Sequence, residues 1–231
     1  KAKNQTLQEL LKLAYGVLDN QISGGPDWIT TARFNVEASL DSSTVSELKN
    51  LSSQQQKMER DQMLQTLLAD QFKIALHREN KLLPAYMLVI AKNGPKVQLS
   101  KPEDTYPNGI KGPEGLPAGP HKFFVEPDGI TVQALPMSFV TERLAMHLNT
   151  PVVDGTGLTG DYDFTLRFSP EGASAHEENG RMVTTTSLSS LDARNAALVS
   201  AIEEQLGLRL DPQTVPLPIL VVDRAEKPMA N

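Results

Sequence analysis

Leu13–Gly25 reads LAYGVLDNQISGG, and Leu144–Thr156 reads LAMHLNTPVVDGT, 131 residues further along. Two more blocks follow at nearly the same spacing. LADQFKIALHRE (Leu68–Glu79) aligns with IEEQLGLRLDPQ (Ile202–Gln213) at an offset of 134. YMLVIAK (Tyr86–Lys92) aligns with PILVVDR (Pro218–Arg224) at 132. Three blocks in one order at nearly one offset point to two copies of a single supersecondary unit.

Residue patterns around these blocks define the unit. Thr6-Leu7-Gln8-Glu9 has the form of a capping box, and Leu7, Leu10, Leu11, Ala14, Val17 and Leu18 follow at helical spacing. Gln21–Ser23 reads as a short strand and Gly24-Gly25-Pro26 as a turn. Phe34, Val36 and Ala38 alternate with polar residues, as in a half-exposed strand. Ser42–Lys57 reads as a polar connector, followed by a helix burying Met63, Leu64, Leu67 and Leu68. Ile74 and Leu76 begin a strand, Asn80–Pro84 a turn, and Ala85–Ala91 a strand covered on both faces. In the second half, Phe123–Val125 and Ile130–Ala134 flank a hairpin turn at Pro127-Asp128-Gly129. Met137, Val140, Leu144 and Leu148 form a helical stripe, and Tyr162, Phe164, Leu166 and Phe168 alternate as a strand. Ile202 and Leu206 lie on the last helix, and Leu208/Leu210 and Ile219–Val222 close the chain. The expected core includes Leu67, Leu68, Phe72, Ile202 and Leu206.

The fold class is therefore α+β, with two tandem pseudo-repeated (β)αββαββ modules, mixed or antiparallel sheets, and helices packed on one face. Residues 1–98 form the first module, without its leading strand. A Pro/Gly-rich linker covers 99–121, and residues 122–231 form the second module.

Composition bounds the function. The 231 residues carry a net charge of −6 with both signs interspersed, which opposes a nucleic-acid footprint. No apolar run reaches the ~18 residues of a membrane span. The chain has no cysteine, so disulfides, thiol catalysis and cysteine-ligated zinc are excluded.

Several motifs tempt a sharper reading. Gly155-Thr156-Gly157-Leu158-Thr159-Gly160 spells a dinucleotide fingerprint, but a period-two strand pattern follows it where a phosphate-binding helix would have to begin. Asp154, Asp161 and Asp163 lack calcium-loop spacing and read as turn and strand-face carboxylates. Ser46-Glu47-Leu48-Lys49 matches S-x-x-K without the companion elements of that chemistry. His77, His121, His147 and His176 are dispersed, with no pair at metal spacing. His77 ends a strand with an exposed ion pair, and His147 lies opposite its helix's apolar stripe, on the surface. No cofactor and no metal is expected. Gly24, Gly25, Pro26 and Trp28 are the candidate binding residues, with core packing of Trp28 as the competing reading.

QISGGPDW, LLADQFKIALHRE, AYMLVIAKNGPK, PVVDGTGLTGDYDFTL, EQLGLRL and VVDRAEKP together resemble an uncharacterised secreted family expanded in soil Acidobacteria of the Solibacter type, from Thr6 to Pro228. That resemblance implies an extracytoplasmic domain released from a signal peptide. In some members the domain follows a membrane metallopeptidase of the beta-lactam-sensor type. It also implies a strand upstream of the first helix. PMSFVTERLAMHLNTPVVDGTGLTGDYDFTLRF with GLRL after the next helix looks like the short N-terminal domain of secretins and TonB-dependent transporters, a periplasmic protein-contact module. The resulting expectation is a non-catalytic, extracytoplasmic module binding a protein or envelope component, with self-association through edge strands as one route. A structural subunit built by edge pairing and a hydrolase with a loop-built site are the alternatives.

Overall fold

The computed structural model describes all residues except 52, 102, 112–115, 127–128, 169–174, 179–180, 185–187 and 229–231. With 35% helix and 37% strand in mixed and antiparallel sheets, the protein is α+β. The chain divides into two compact units: Lys1–Leu83 with Thr214–Asn231, and Pro84–Gln213.

The first unit opens on β1 (Ala2–Thr6), a leading strand that the first module was expected to lack. Its sequence has no apolar alternation. It is held by antiparallel pairing with β3 (Arg33–Val36) and by the Asn4 amide, which donates to Asn35 Oδ1 at 2.9 Å. The capping box then starts α1 (Leu7–Tyr15): Glu9 N–H donates to Thr6 Oγ1 at 3.2 Å, and Thr6 N–H to Glu9 Oε2 at 2.6 Å. Gly16, at φ 63°, ends the helix in the left-handed conformation that glycine reaches without a Cβ clash. Leu7, Leu10, Leu11 and Ala14 pack with Ile29, Leu68, Phe72 and Val222 into one core. β2 (Ile22–Gly24) runs parallel to the end of β12 (Leu208–Arg224), with Ile22 opposite Leu220. A short helix, α2 (Trp28–Thr31), precedes β3.

The expected connector at Ser42–Lys57 is instead helical. It forms α3 (Ser42–Lys49) and the start of α4 (Ser53–Phe72). Asp41 caps α3 by accepting the Thr44 amide at 2.8 Å and the Ser43 hydroxyl at 2.5 Å. Polar residues with adequate helix propensity need no apolar stripe once a cap is present, so periodicity carried no signal here. In α4, Leu68 and Phe72 are buried, whereas Leu67 is only half-buried. The turn expected at Asn80–Pro84 is also absent: β4 (Ala75–Ile90) is one strand. β12 likewise replaces two expected strands. The unit boundaries fall inside β4 and β12, so each long strand contributes one end to each unit.

The second unit holds an antiparallel sheet in the order β5-β9-β7-β6 (Gln98–Leu99, Asp161–Arg167, Gly129–Pro136 and Lys122–Glu126). The inward residues Ile130, Val132 and Leu166 pack against α5 (Met137–Leu148) and α6 (Leu188–Leu206), including the buried Leu198, Ile202 and Leu206. β8 (Val152–Asp154) runs parallel to the end of β4, with Tyr86 opposite Val152. A hairpin, β10 (Ala175–Glu178) with β11 (Arg181–Thr184), occupies the middle of the polar stretch between β9 and α6. The segment 99–121, expected to link two modules, lies within this unit.

Among the described residues, no helix is long and apolar enough to cross a membrane. With α2 and α3 set aside in one series and β10 and β11 in the other, the order β1-α1-β2-β3-α4-β4 parallels β7-α5-β8-β9-α6-β12. The pairings β1 with β3 and β7 with β9 correspond as well.

Candidate functional site

Strand alternation in the second unit buries Ile130, Val132 and Leu166 and leaves Thr131, Gln133, Asp163, Thr165 and Arg167 on the other face of the sheet. An open groove of about 740 Å³ lies on that face. β5 contributes Gln98, and β6 contributes Phe124, which is 49% exposed. The Pro/Gly-rich segment after β5 supplies the other wall with Tyr106, Asn108, Gly109, Ile110 and Lys111.

Two buried polar side chains hold that wall in place. Tyr106, 8% exposed, donates its hydroxyl to Asp163 Oδ1 at 2.9 Å and Oδ2 at 3.2 Å, and lies 2.6 Å from Ser100 Oγ. The Ala134 amide also donates to Asp163 Oδ1, at 2.7 Å. That amide is aimed by the β7 bulge between Val132 and Leu135, where Ala134 sits at φ 49°. Gln133, 3% exposed, accepts from the Ile110 amide at 2.5 Å and donates to the Gly119 carbonyl at 3.0 Å. A Cβ on Gly109 would lie 2.6 Å from Gln133 Oε1, so a larger residue there would displace the Gln133 amide. Burial raises the Tyr106 pKa, the Ser100 hydrogen bond opposes that shift, and the bond to Asp163 adds to it, so the side chain stays a neutral phenol.

Around this frame the charge is mostly positive. Lys96 donates to the Glu204 carbonyl at 2.6 Å, Lys111 to the Pro107 carbonyl, and Arg167 completes the set. Gln205 ties the end of β9 to α6 through both the amide and the carbonyl of Arg167, at 2.9 and 2.6 Å. Chemically, the groove offers ammonium, guanidinium, amide and hydroxyl donors beside an exposed ring, while both oxygens of Asp163, the one carboxylate among the described lining residues, are engaged.

The residues singled out in the sequence lie elsewhere, apart from Asp163. Gly24 (φ 74°) and Gly25 (φ 76°) are set against β12: a Cβ on Gly24 would lie 2.8 Å from the Val222 carbonyl oxygen. Pro26 starts the turn of α2, accepting the Ile29 amide at 3.1 Å. Trp28 is half-buried, stacked on Phe72 at 6.2 Å and edge-on to Phe34 at 6.0 Å, with Lys227 Nζ 5.9 Å from its ring. Gly24 and Gly25 are exposed, and Pro26 and Trp28 are half-buried.

Asp154 accepts the Thr156 amide and hydroxyl at 2.9 and 2.7 Å and shapes the glycine loop, which runs into β9. The described residues contain no group of three metal-ligating side chains. Ser46 donates to the Ser42 carbonyl within α3. His77 Nδ1 lies 2.9 Å from both oxygens of Asp223; this bond raises its pKa, against a smaller desolvation effect. His147, expected at the surface, is half-buried edge-on to Phe168 at 6.0 Å, and burial and then Arg194 lower its pKa. His121 meets the Ala134 carbonyl at 2.8 Å, and the side chain of His176 is outside the described residues.

The fold and groove define an α+β domain with an open, donor-rich surface site. The chain belongs to the family described as a protein of unknown function, DUF3738, whose pattern matches residues 8–225. No curated protein and no solved structure matches it.

Proposed function

We propose that this is a non-catalytic binding module acting outside the cytoplasm, and that the groove on the second unit is its ligand site. The observation carrying this reading is the fixing of the Pro/Gly-rich segment over the sheet by Tyr106 and Gln133. A segment that only connects two elements has no need to bury polar anchors, because each buried donor or acceptor must be matched or costs free energy. Here the matched anchors hold a wall at one side of an open groove of a size typical for small-ligand sites, about 300–1,000 Å³. The engagement of Asp163 by Tyr106 and Ala134 supports a binding role over a hydrolytic one. The extracytoplasmic setting rests on the sequence resemblance.

Filling the groove tests the reading. Thr131→Trp places an indole on the outer face of β7 and should abolish binding of envelope-derived oligosaccharides and peptides while the thermal midpoint stays within a few degrees. Ligands bound equally by wild type and Thr131→Trp would contradict it, and so would turnover of any ligand that depends on a groove side chain.

A second reading has its own observation. β6 ends the order β5-β9-β7-β6, and Phe124 and Val125 on it are about half exposed. Such an edge can accept a strand from a protein partner or a second copy, which would make the protein an interaction module or a structural subunit. We also infer that the chain contains two copies of one βαββαβ unit, supported by the shared element order and the corresponding strand pairings.

A further inference from the structure

Among the described residues, no carboxylate is paired with either lysine of the groove. Lys96 and Lys111 are each held by a backbone carbonyl, of Glu204 and Pro107 respectively, and neither has an ion-pair partner among the described residues. A neutral carbonyl orients an ammonium without neutralising it and leaves two of its three donors for a ligand. Among the described lining residues the carboxylate is that of Asp163, whose oxygens are bonded to Tyr106 and Ala134. The described lining therefore carries more basic than acidic side chains, on a chain whose total charge is −6.

The neutral part of the lining narrows the class. Gln98 and Asn108 offer planar amides, Thr131 a hydroxyl and Phe124 a half-exposed aromatic ring. Amides match the paired hydroxyls of a sugar, and an aromatic face packs on its C–H side. Resting on the groove as ligand site, we propose that it binds an acidic saccharide. Lys96 and Lys111 take the sugar carboxylates, and Phe124 takes a ring face. Phosphate or sulfate alone would use the cations and leave the ring and amides idle.

The test is calorimetric titration of the full chain with tetragalacturonate, neutral tetragalactose and tetraglutamate, at low and raised salt. Tetragalacturonate should bind at least about tenfold more tightly than either of the others, a difference of ~1.4 kcal/mol. Its affinity should fall as salt screens the ammoniums. Lys96→Gln with Lys111→Gln should lower it by about tenfold or more, and Lys111→Gln alone should give part of that loss if the double variant folds poorly. Neutral tetragalactose binding as tightly would overturn the charge assignment, and tetraglutamate binding as tightly would overturn the saccharide assignment. If none of the three binds, the ligand class is wrong, while the groove reading is still decided by its own filling variant. Tetragalacturonate bound equally by wild type and Thr131→Trp would overturn both.

Discussion

Tyr106→Phe removes one oxygen from the wall of the groove and keeps the ring. The lost hydroxyl donates to both oxygens of Asp163, at 2.9 and 3.2 Å, and lies 2.6 Å from Ser100 Oγ. A hydrogen bond to a charged group contributes about 1.5–3 kcal/mol. Asp163 keeps the Ala134 amide and is itself only partly buried, so water can replace some of what is lost. We therefore expect a loss of about 2 kcal/mol, confined to the segment that Tyr106 anchors. The assay is amide hydrogen exchange. The Gly109 amide, which donates to the Tyr106 carbonyl at 2.9 Å, and the Ile110 amide, bonded to Gln133, should exchange about 30-fold faster. Amides of α5 should not change. The same variant has a pH signature. Because burial raises the Tyr106 pKa above its ordinary 10.0, the neutral form is favoured in the folded state. Its contribution is intact below the unfolded value and is lost as pH rises through the folded one. Wild type should lose protection of Gly109 in that alkaline window, and Tyr106→Phe should lack the step. Unchanged exchange at Gly109 and Ile110 would refute the anchoring role.

Three other outcomes follow from the packing and the electrostatics. Leu68→Ala and Ile202→Ala, at nearly fully buried positions of the two cores, should each destabilise by about 2–5 kcal/mol in urea denaturation, and unchanged midpoints would remove both from the core. Gly24→Ala should weaken the pairing of β2 with β12, because its Cβ would sit 2.8 Å from the Val222 carbonyl at φ 74°; faster exchange in β2 checks this. The His77 imidazole should titrate above 6.5 by NMR and move back toward it in Asp223→Asn. The stabilising bond is present below the unfolded pKa and lost as pH rises through the folded one.

Much of the fold was legible where local chemistry and burial agree. The Thr6/Glu9 box marked α1, and the alternation of Tyr162, Leu166 and Phe168 marked β9. Leu68, Phe72, Ile202 and Leu206 sit in the cores that their stripes indicated. α3 has no apolar stripe, since among its described side chains only Leu48 is buried, and β1 has none because Ala2–Gln5 is largely exposed. The breaks expected at Asn80–Pro84 and within Asp211–Pro218 assumed that turn-formers end strands, yet β4 and β12 run through both. The groove was barely legible at all. Its frame depends on Tyr106 and Gln133, one in a stretch that composition reads as linker and the other on a strand whose partners are distant in sequence. An aromatic residue, Tyr106, among the prolines and glycines is a local hint, and the structure buries it. In sequence Asp163 is one of three carboxylates near the glycine loop, whereas its partners are a tyrosine 57 residues earlier and a bulge amide.

The claim that the groove is the ligand site is tested most directly by amide chemical-shift mapping during titration of the isotopically labelled protein with tetragalacturonate, and with any other ligand found to bind. The account predicts saturable shifts concentrated at Gln98, Asn108, Thr131 and Thr165, absent in Thr131→Trp. Saturable shifts that cluster at the Gly24–Trp28 turn or along other surfaces, leaving those four amides unmoved, would contradict it.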